Sequence, residues 1–234
     1  MSLLKVPILA PTIWLFNIAF TSPNPPPDKL ERISNGPFYE RVCPAMFPIL
    51  QKLSASIPCV AELAVVLAVN YPSTLSSCIL SRLVLTDRLP TFSVNRYFVA
   101  GSILAVAGSL GRLWCFQALG RHFTHELALR DQHQLITTGP YAIVRHPGYM
   151  FGCISSLGMS LIIASPGSFT LRCGWLKTIF GKTVIGIWAM QNILGWVLSY
   201  ARTRSEDAML RERFREEWVR YSQRVRYRLI PGVF

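Results

Sequence analysis

"YFVAGSILAVAGSLGRLWCFQALG", residues 97–120, decides the class of this chain. A bilayer hydrocarbon core of about 30 Å is crossed by about 20 mainly apolar helical residues, and this run meets that requirement. "TVIGIWAMQNILGWVLSY", residues 183–200, meets it again. The composition agrees: 15% of the residues are charged and 51% are hydrophobic, where soluble domains carry roughly 25% charged residues. The net charge of +12 would suggest nucleic acid in a soluble protein. Here it reads as cationic loops and a basic tail beside anionic lipid headgroups, with no nucleic-acid partner expected.

Working outward, the apolar runs predict an all-α integral membrane protein with five transmembrane helices, at about 3–20, 44–70, 93–119, 148–165 and 179–200. The second is interrupted by Lys52, Pro58 and Glu62, and a short apolar stretch at 75–85 follows it. The N-terminal run is expected to be a retained span, because "TSPNPPPDK" after it lacks a small-x-small cleavage site. Two spans separate the 121–147 loop from the tail after 200, so both face one side of the membrane, and their arginines make it the cytoplasm by the positive-inside rule. Arg172 and Lys177, between the last two spans, run against that assignment. The tail repeats Leu210, Phe214, Trp218, Tyr221 and Val225 every three or four residues, the pattern of an amphipathic helix that lies on the bilayer or folds over the 121–147 loop.

The six cysteines have no C-x-x-C spacing and read as free thiols. All four histidines, His122, His125, His133 and His146, fall in one loop, but no H-E-x-x-H pattern joins them and no metal is expected. Pro147 suits the first turn of a helix, where its missing N–H is not needed. Arg145 and His146 then flank a helix N-terminus at the membrane surface, a setting that favours an anionic group. The same arginine would serve equally by reaching to lipid phosphate beside a tight turn. Gly148 and Gly152 form a G-x-x-x-G step permitting close helix packing or close approach of a bulky ligand. Arg202 and Glu206 lie four apart on one helical face with Asp207 beside them: either an ordinary intrahelical ion pair or a holder for the charges of an amino-acid-like cofactor.

Two blocks, "FTHELALRDQHQLITTGPYAIVRHPGYMFG" (123–152) and "RTRSEDAMLRERFREEWVRYSQRVRYRLIP" (202–231), together resemble the isoprenylcysteine carboxyl methyltransferase family. The first carries His133, Leu135, Gly139, Tyr141, Arg145, His146, Pro147, Tyr149 and Gly152; the second carries Arg202, Glu206, Asp207, Leu210, Phe214, Trp218, Tyr221 and Pro231. The resemblance implies a multi-pass enzyme of the endoplasmic reticulum membrane. Such enzymes use S-adenosylmethionine to methylate the C-terminal prenylcysteine carboxylate of processed CaaX proteins. It also implies a cofactor pocket of His133, Leu135, Gly139, Tyr141, His146, Tyr149, Glu206 and Asp207, with Arg145, Arg202 and Glu206 as the catalytic candidates. Residues 1–92 would supply N-terminal helices and connections, and 93–234 the methyltransferase core with its C-terminal amphipathic helix.

Three positions depart from the family pattern: Asp207 stands where glutamate is usual, Trp218 where tyrosine is, and Arg215 where a glycine commonly follows the phenylalanine. The last is expected to stiffen the tail. Other enzymes sharing parts of this pattern are phospholipid N-methyltransferases and, more distantly, NADPH-dependent membrane sterol reductases. A non-catalytic membrane protein that binds prenylated tails is the remaining alternative.

Overall fold

The computed structural model describes residues 2–27, 38–124 and 134–232. Among them there is no strand, as an all-α chain requires. The helices are α1 (Val6–Ala19), α2 (Phe38–Asn70), α3 (Thr74–Leu83), α4 (Arg96–Leu119), α5 (Pro147–Ile163), α6 (Phe169–Arg172) and α7 (Ile179–Arg224). Among the described residues three helical stretches are long and apolar enough to cross a membrane: Met46–Asn70, Arg96–His122 and the apolar part of Ile179–Arg224. The other two expected spans are shorter apolar helices, Leu3–Ala19 and Pro147–Ile163. α5 begins at the proline that marks its first turn. The stretch after the second span forms α3, started by Ser73, whose hydroxyl accepts from the Ser76 amide at 3.0 Å.

Contacts divide the chain into two compact units. The first comprises Met1–Ile18, Gln51–Ala107 and Ile154–Asn192. Within it Val65, Val66, Phe92, Phe169 and Cys173 form a closed apolar core. Gly158 of α5 meets α4 backbone to backbone: a Cβ on Gly158 would stand 2.2 Å from the Ala105 nitrogen, and one on Gly101 2.7 Å from the Gly158 carbonyl oxygen. Small residues at 101, 105 and 158 therefore set this helix crossing, since helices in lipid associate through close van der Waals packing. Lys5 and Glu62 are both buried and form an ion pair. The Lys5 ammonium also donates to the Gly167 carbonyl at 2.7 Å, and Glu62 accepts the Phe169 amide at 2.7 Å. The Phe98 ring lies 4.7 Å from the ammonium. The glutamate that breaks the apolar run of α2 thus answers the lone lysine of the N-terminal segment. An amide cluster of Gln51, Gln191 and Asn192, with bonds of 3.1 Å, joins α2 to α7 in the same unit.

The second unit comprises Ala19–Leu50, Gly108–Cys153 and Ile193–Phe234. It holds every expected site residue that the structure describes. Here α7 runs from apolar sequence into the polar tail as one helix, where the sequence suggested a span and a separate tail helix. It breaks at Arg215, whose φ of 45° and ψ of −112° are not helical. Arg215 is the one positive-φ non-glycine among the described residues, a conformation that costs an L-residue on the order of 1–3 kcal/mol. The chain bends back there. A straight helix would separate Asp207 from Arg224 by about 25 Å, yet the Arg228 Nε lies 3.0 Å from the Asp207 carboxylate. The expected stiffening by arginine is corrected accordingly: this residue takes the backbone turn that suits glycine.

Candidate active site

The stretch that enters α5 is shaped locally before it is pinned from afar. Gly139 has φ of 61°, which opens a short 3₁₀ turn over Gly139–Ala142 with Pro140 in its first positions. Val144 then buries its side chain completely. The amides of Arg145 and His146 donate to the carbonyls of Tyr227 at 3.0 Å and Arg228 at 2.9 Å. The Tyr221 hydroxyl donates to the Tyr141 carbonyl at 2.8 Å. The returning arm of the tail therefore folds over this loop, one of the two placements its apolar face allowed.

His146 stands at the centre, 4% exposed. Its Nδ1 lies 3.2 Å from Glu206 Oε2 and its Nε2 2.9 Å from Asp207 Oδ1. Ionised carboxylates only accept, so both ring nitrogens must carry protons and the ring is an imidazolium. Burial works against that charge, but the hydrogen bonds to Asp207 and Glu206 outweigh it and raise the pKa above 6.5. Burial likewise disfavours the charge on both acids, and their bonds to His146 overcome it: Glu206 falls below 4.5 and Asp207 below 3.8. Each acid then collects further partners. The Tyr149 hydroxyl donates to Glu206 Oε1, and the Arg202 Nε lies 3.6 Å from the same oxygen. Asp207 Oδ2 accepts from Arg145 Nη2 at 3.3 Å and lies 3.0 Å from Arg228 Nε. Arg145 spends its other terminal nitrogen on the Val225 and Arg226 carbonyls, both at 3.1 Å.

The structure thus gathers Arg145, His146, Tyr149, Arg202, Glu206 and Asp207 into one network, joining the loop before α5 to the emerging part of α7. Four cations, Arg145, His146, Arg202 and Arg228, face two carboxylates, an excess of two positive charges. Such a site favours an anion. Tyr141 is close: its hydroxyl lies 4.0 Å from where a Cβ on Gly148 would stand. Burial, with Cys115 and Glu206 nearby, keeps its phenol protonated and so a donor. Gly139 faces Trp114, whose Nε1 would lie 3.7 Å from a Cβ there. Leu135 is half-buried ahead of the turn. His133 lies outside the described residues.

Two residues escaped the sequence reading. Arg228 was one arginine among many in a basic tail. Arg112 sits inside α4, where it donates to the Ala19 carbonyl at 2.7 Å and the Gly148 carbonyl at 2.9 Å, with the Phe20 ring 4.8 Å away. A charge isolated within a spanning run is itself a pointer to a site. Gly152 owes its smallness to this residue, because a Cβ there would come within 2.7 Å of Arg112 Nη1. The Gly148/Gly152 step therefore admits an arginine side chain, while helix-to-helix backbone contact occurs at Gly101 and Gly158.

Two buried donors near the network, Arg145 Nε and Trp218 Nε1, have no acceptor among the described residues. The Arg145 guanidinium carbon lies 5.9 Å from the Trp218 ring centroid. Buried donors in native structures are almost always satisfied, so this pair fits a ligand that brings acceptor oxygens.

Residues 101–182 match the model of the isoprenylcysteine carboxyl methyltransferase (ICMT) family. The chain is 29% identical over 127 residues to a probable protein-S-isoprenylcysteine O-methyltransferase of Oryza sativa subsp. indica, covering 53% of this chain and 56% of that one. To the Dictyostelium discoideum protein-S-isoprenylcysteine O-methyltransferase it is 33% identical over 94 residues, 39% of this chain and 38% of the relative. To the Homo sapiens protein of the same name it is 29% identical over 129 residues, 54% and 39% of the two chains. The chain therefore spans about half the length of the first of these relatives and less of the others. No solved structure matches. The family that the two sequence blocks resemble is the one whose pattern this chain carries over residues 101–182, the isoprenylcysteine carboxyl methyltransferases.

Proposed function

We propose that this protein transfers a methyl group from S-adenosylmethionine to the C-terminal carboxylate of a prenylcysteine, at a site on the cytoplasmic side of the endoplasmic reticulum membrane. The observation that carries the reading is the buried His146 imidazolium held between Glu206 and Asp207, which couples the family-matched loop to the emerging α7. The core of the activity is assigned to 93–234. The pocket would be formed by His133, Leu135, Gly139, Tyr141, His146, Tyr149, Glu206 and Asp207. Arg145 and Arg202 are the candidates for gripping carboxylates.

The orphan donors of Arg145 and Trp218 fit the carboxylate of the methyl donor or of the substrate. S-adenosylmethionine held there would supply a sulfonium methyl for transfer to a carboxylate oxygen, with the carbon–sulfur electron pair left on sulfur. A C-terminal carboxyl has a reference pKa of about 3.3–3.7 and is already ionised at neutral pH, so no residue has to act as a base. That agrees with a site whose histidine is already protonated. Its residues have three tasks: to align the oxygen, to exclude water, and to hold the substrate anion. An arginine clamp must not be too tight, because the reaction neutralises opposite charges and a strong grip on the anion stabilises the ground state more than the transition state. Fixing Arg145 through Asp207 and three consecutive backbone carbonyls, of Val225, Arg226 and Tyr227, favours orientation over grip. The prenyl chain would approach through the apolar helices and the water-soluble donor through the loop and tail.

Purified protein in detergent, given methyl-labelled S-adenosylmethionine and N-acetyl-farnesylcysteine, should yield base-labile methyl ester. Label entering phosphatidylethanolamine with no ester would overturn the reading in favour of phospholipid N-methylation.

A further inference from the structure

The bend of α7 carries a second cluster that the methyl-transfer site does not use. A groove of about 570 Å³ opens there, lined by Arg211 before the bend, Arg215 at it, and Glu216, Val219, Arg220 and Gln223 after it. The three arginines and the glutamate are exposed. Among the described residues, no ion pair within 4.0 Å engages Arg211, Arg215 or Arg220. Three guanidiniums against one carboxylate leave the groove with two positive charges in excess.

Arg215 makes the cluster more than a solvated basic face. Its backbone sits at φ of 45°, where glycine is at ease and a side chain is strained. A strained residue persists where something over-determines it, and such outliers gather at binding sites. The arginine's side chain is the feature that glycine would forfeit, and it lies in the groove.

We propose that this groove binds the phosphate-bearing headgroup of an anionic lipid. Guanidinium presents a planar fork of donors that matches phosphate oxygens, which is why arginine is favoured at phosphate sites. Both arms of the bend are tied to the mouth of α5: the first through Glu206 and Asp207, the second through the carbonyls that hold Arg145 and His146. The groove is therefore carried by a segment anchored where a membrane helix begins, and Val219 gives it an apolar side for the glycerol backbone that free phosphate lacks. Juxtamembrane arginines draw anionic lipid by about 1 kcal/mol each, close to fivefold per residue. The proposal does not depend on the methyl-transfer reading.

The test uses the full chain in neutral detergent, titrated with dioctanoyl phosphatidylserine, dioctanoyl phosphatidylcholine or inorganic phosphate, with binding followed by native mass spectrometry and by the shift in melting temperature. Phosphatidylserine should bind saturably and raise the melting temperature. The pair Arg211→Gln/Arg220→Gln should weaken it about thirtyfold, while Arg224→Gln/Arg226→Gln, outside the groove, should leave it unchanged. Arg215→Gly should raise the melting temperature without lipid and weaken lipid binding, opposite signs that a structural arginine would not give. Equal weakening by the two double variants would overturn the proposal, as would phosphatidylcholine or inorganic phosphate binding as tightly as phosphatidylserine.

Discussion

Replacing Asp207 by asparagine removes the carboxylate that joins Arg145 and His146 of the loop to Arg228 of the tail. The Asp207 side chain is 7% exposed and faces His146 Nε2 at 2.9 Å, Arg228 Nε at 3.0 Å and Arg145 Nη2 at 3.3 Å. Asparagine keeps the shape and one acceptor oxygen but loses the charge and turns donors toward cations. Breaking one side of a buried ion pair costs about 3–5 kcal/mol. At 1.4 kcal/mol per tenfold, the constant for undocking the returning arm should rise by between about 10² and 4 × 10³. The amides of Arg145 and His146 report this opening directly, because their acceptors are the carbonyls of Tyr227 and Arg228. Hydrogen exchange over the peptide that contains them should accelerate by that factor, while the Lys5–Glu62 region of the other unit keeps its protection. Exchange at Arg145 and His146 within about tenfold of wild type would refute the idea that Asp207 holds the arm, since that corresponds to only 1.4 kcal/mol.

Three further outcomes follow from the geometry. Because His146 titrates higher in the folded protein, its contribution is fully present below pH 6.5 and disappears as pH rises through its raised value; Glu206 and Asp207, shifted down, contribute above pH 4.5 and 3.8 and stop as pH falls through theirs. Protection of the Arg145 and His146 amides should therefore peak between these limits, and an alkaline limb that survives in His146→Gln would contradict the assignment. Lys5→Met should destabilise the protein by about 3–5 kcal/mol by stranding Glu62, with Lys5→Met/Glu62→Gln recovering part of the loss; a thermal melt of Lys5→Met identical to wild type would disprove the pairing. Gly158→Ala should cost about 1–3 kcal/mol through its clash with Ala105, whereas Gly186→Ala, whose Cβ meets nothing within 4 Å, should be tolerated in the same assay.

How far the sequence reveals this molecule depends on the range of the contacts involved. The start of α5 was legible because proline announces a first turn by its own chemistry. Three of the five expected spans were legible because a bilayer demands a fixed length of apolar helix. The union of Arg145 and His146 with Glu206 and Asp207 came only with the resemblance, since nothing local in either block names the other. Periodicity in the tail marked an apolar face and left its partner open; the Tyr221 hydroxyl meeting the Tyr141 carbonyl supplies one such partner. The pairing of Lys5 with Glu62 joins positions 57 apart, and no rule of spacing reaches that far. Arg215 misled for a different reason: a residue type sets a conformational preference, and tertiary contacts at Asp207 and Arg228 outbid it.

The pins that hold Arg145 to Val225 span 80 positions of chain. At a synthesis rate of about 5–20 residues per second, the loop waits roughly 4–16 seconds after it is made before its partners exist. Throughout that interval Arg145 and His146 stand at the mouth of α5 with water, lipid or a chaperone in place of the tail. Assembly of the site therefore follows the making of its first half by seconds, timed by synthesis of the segment that carries Val225 to Arg228.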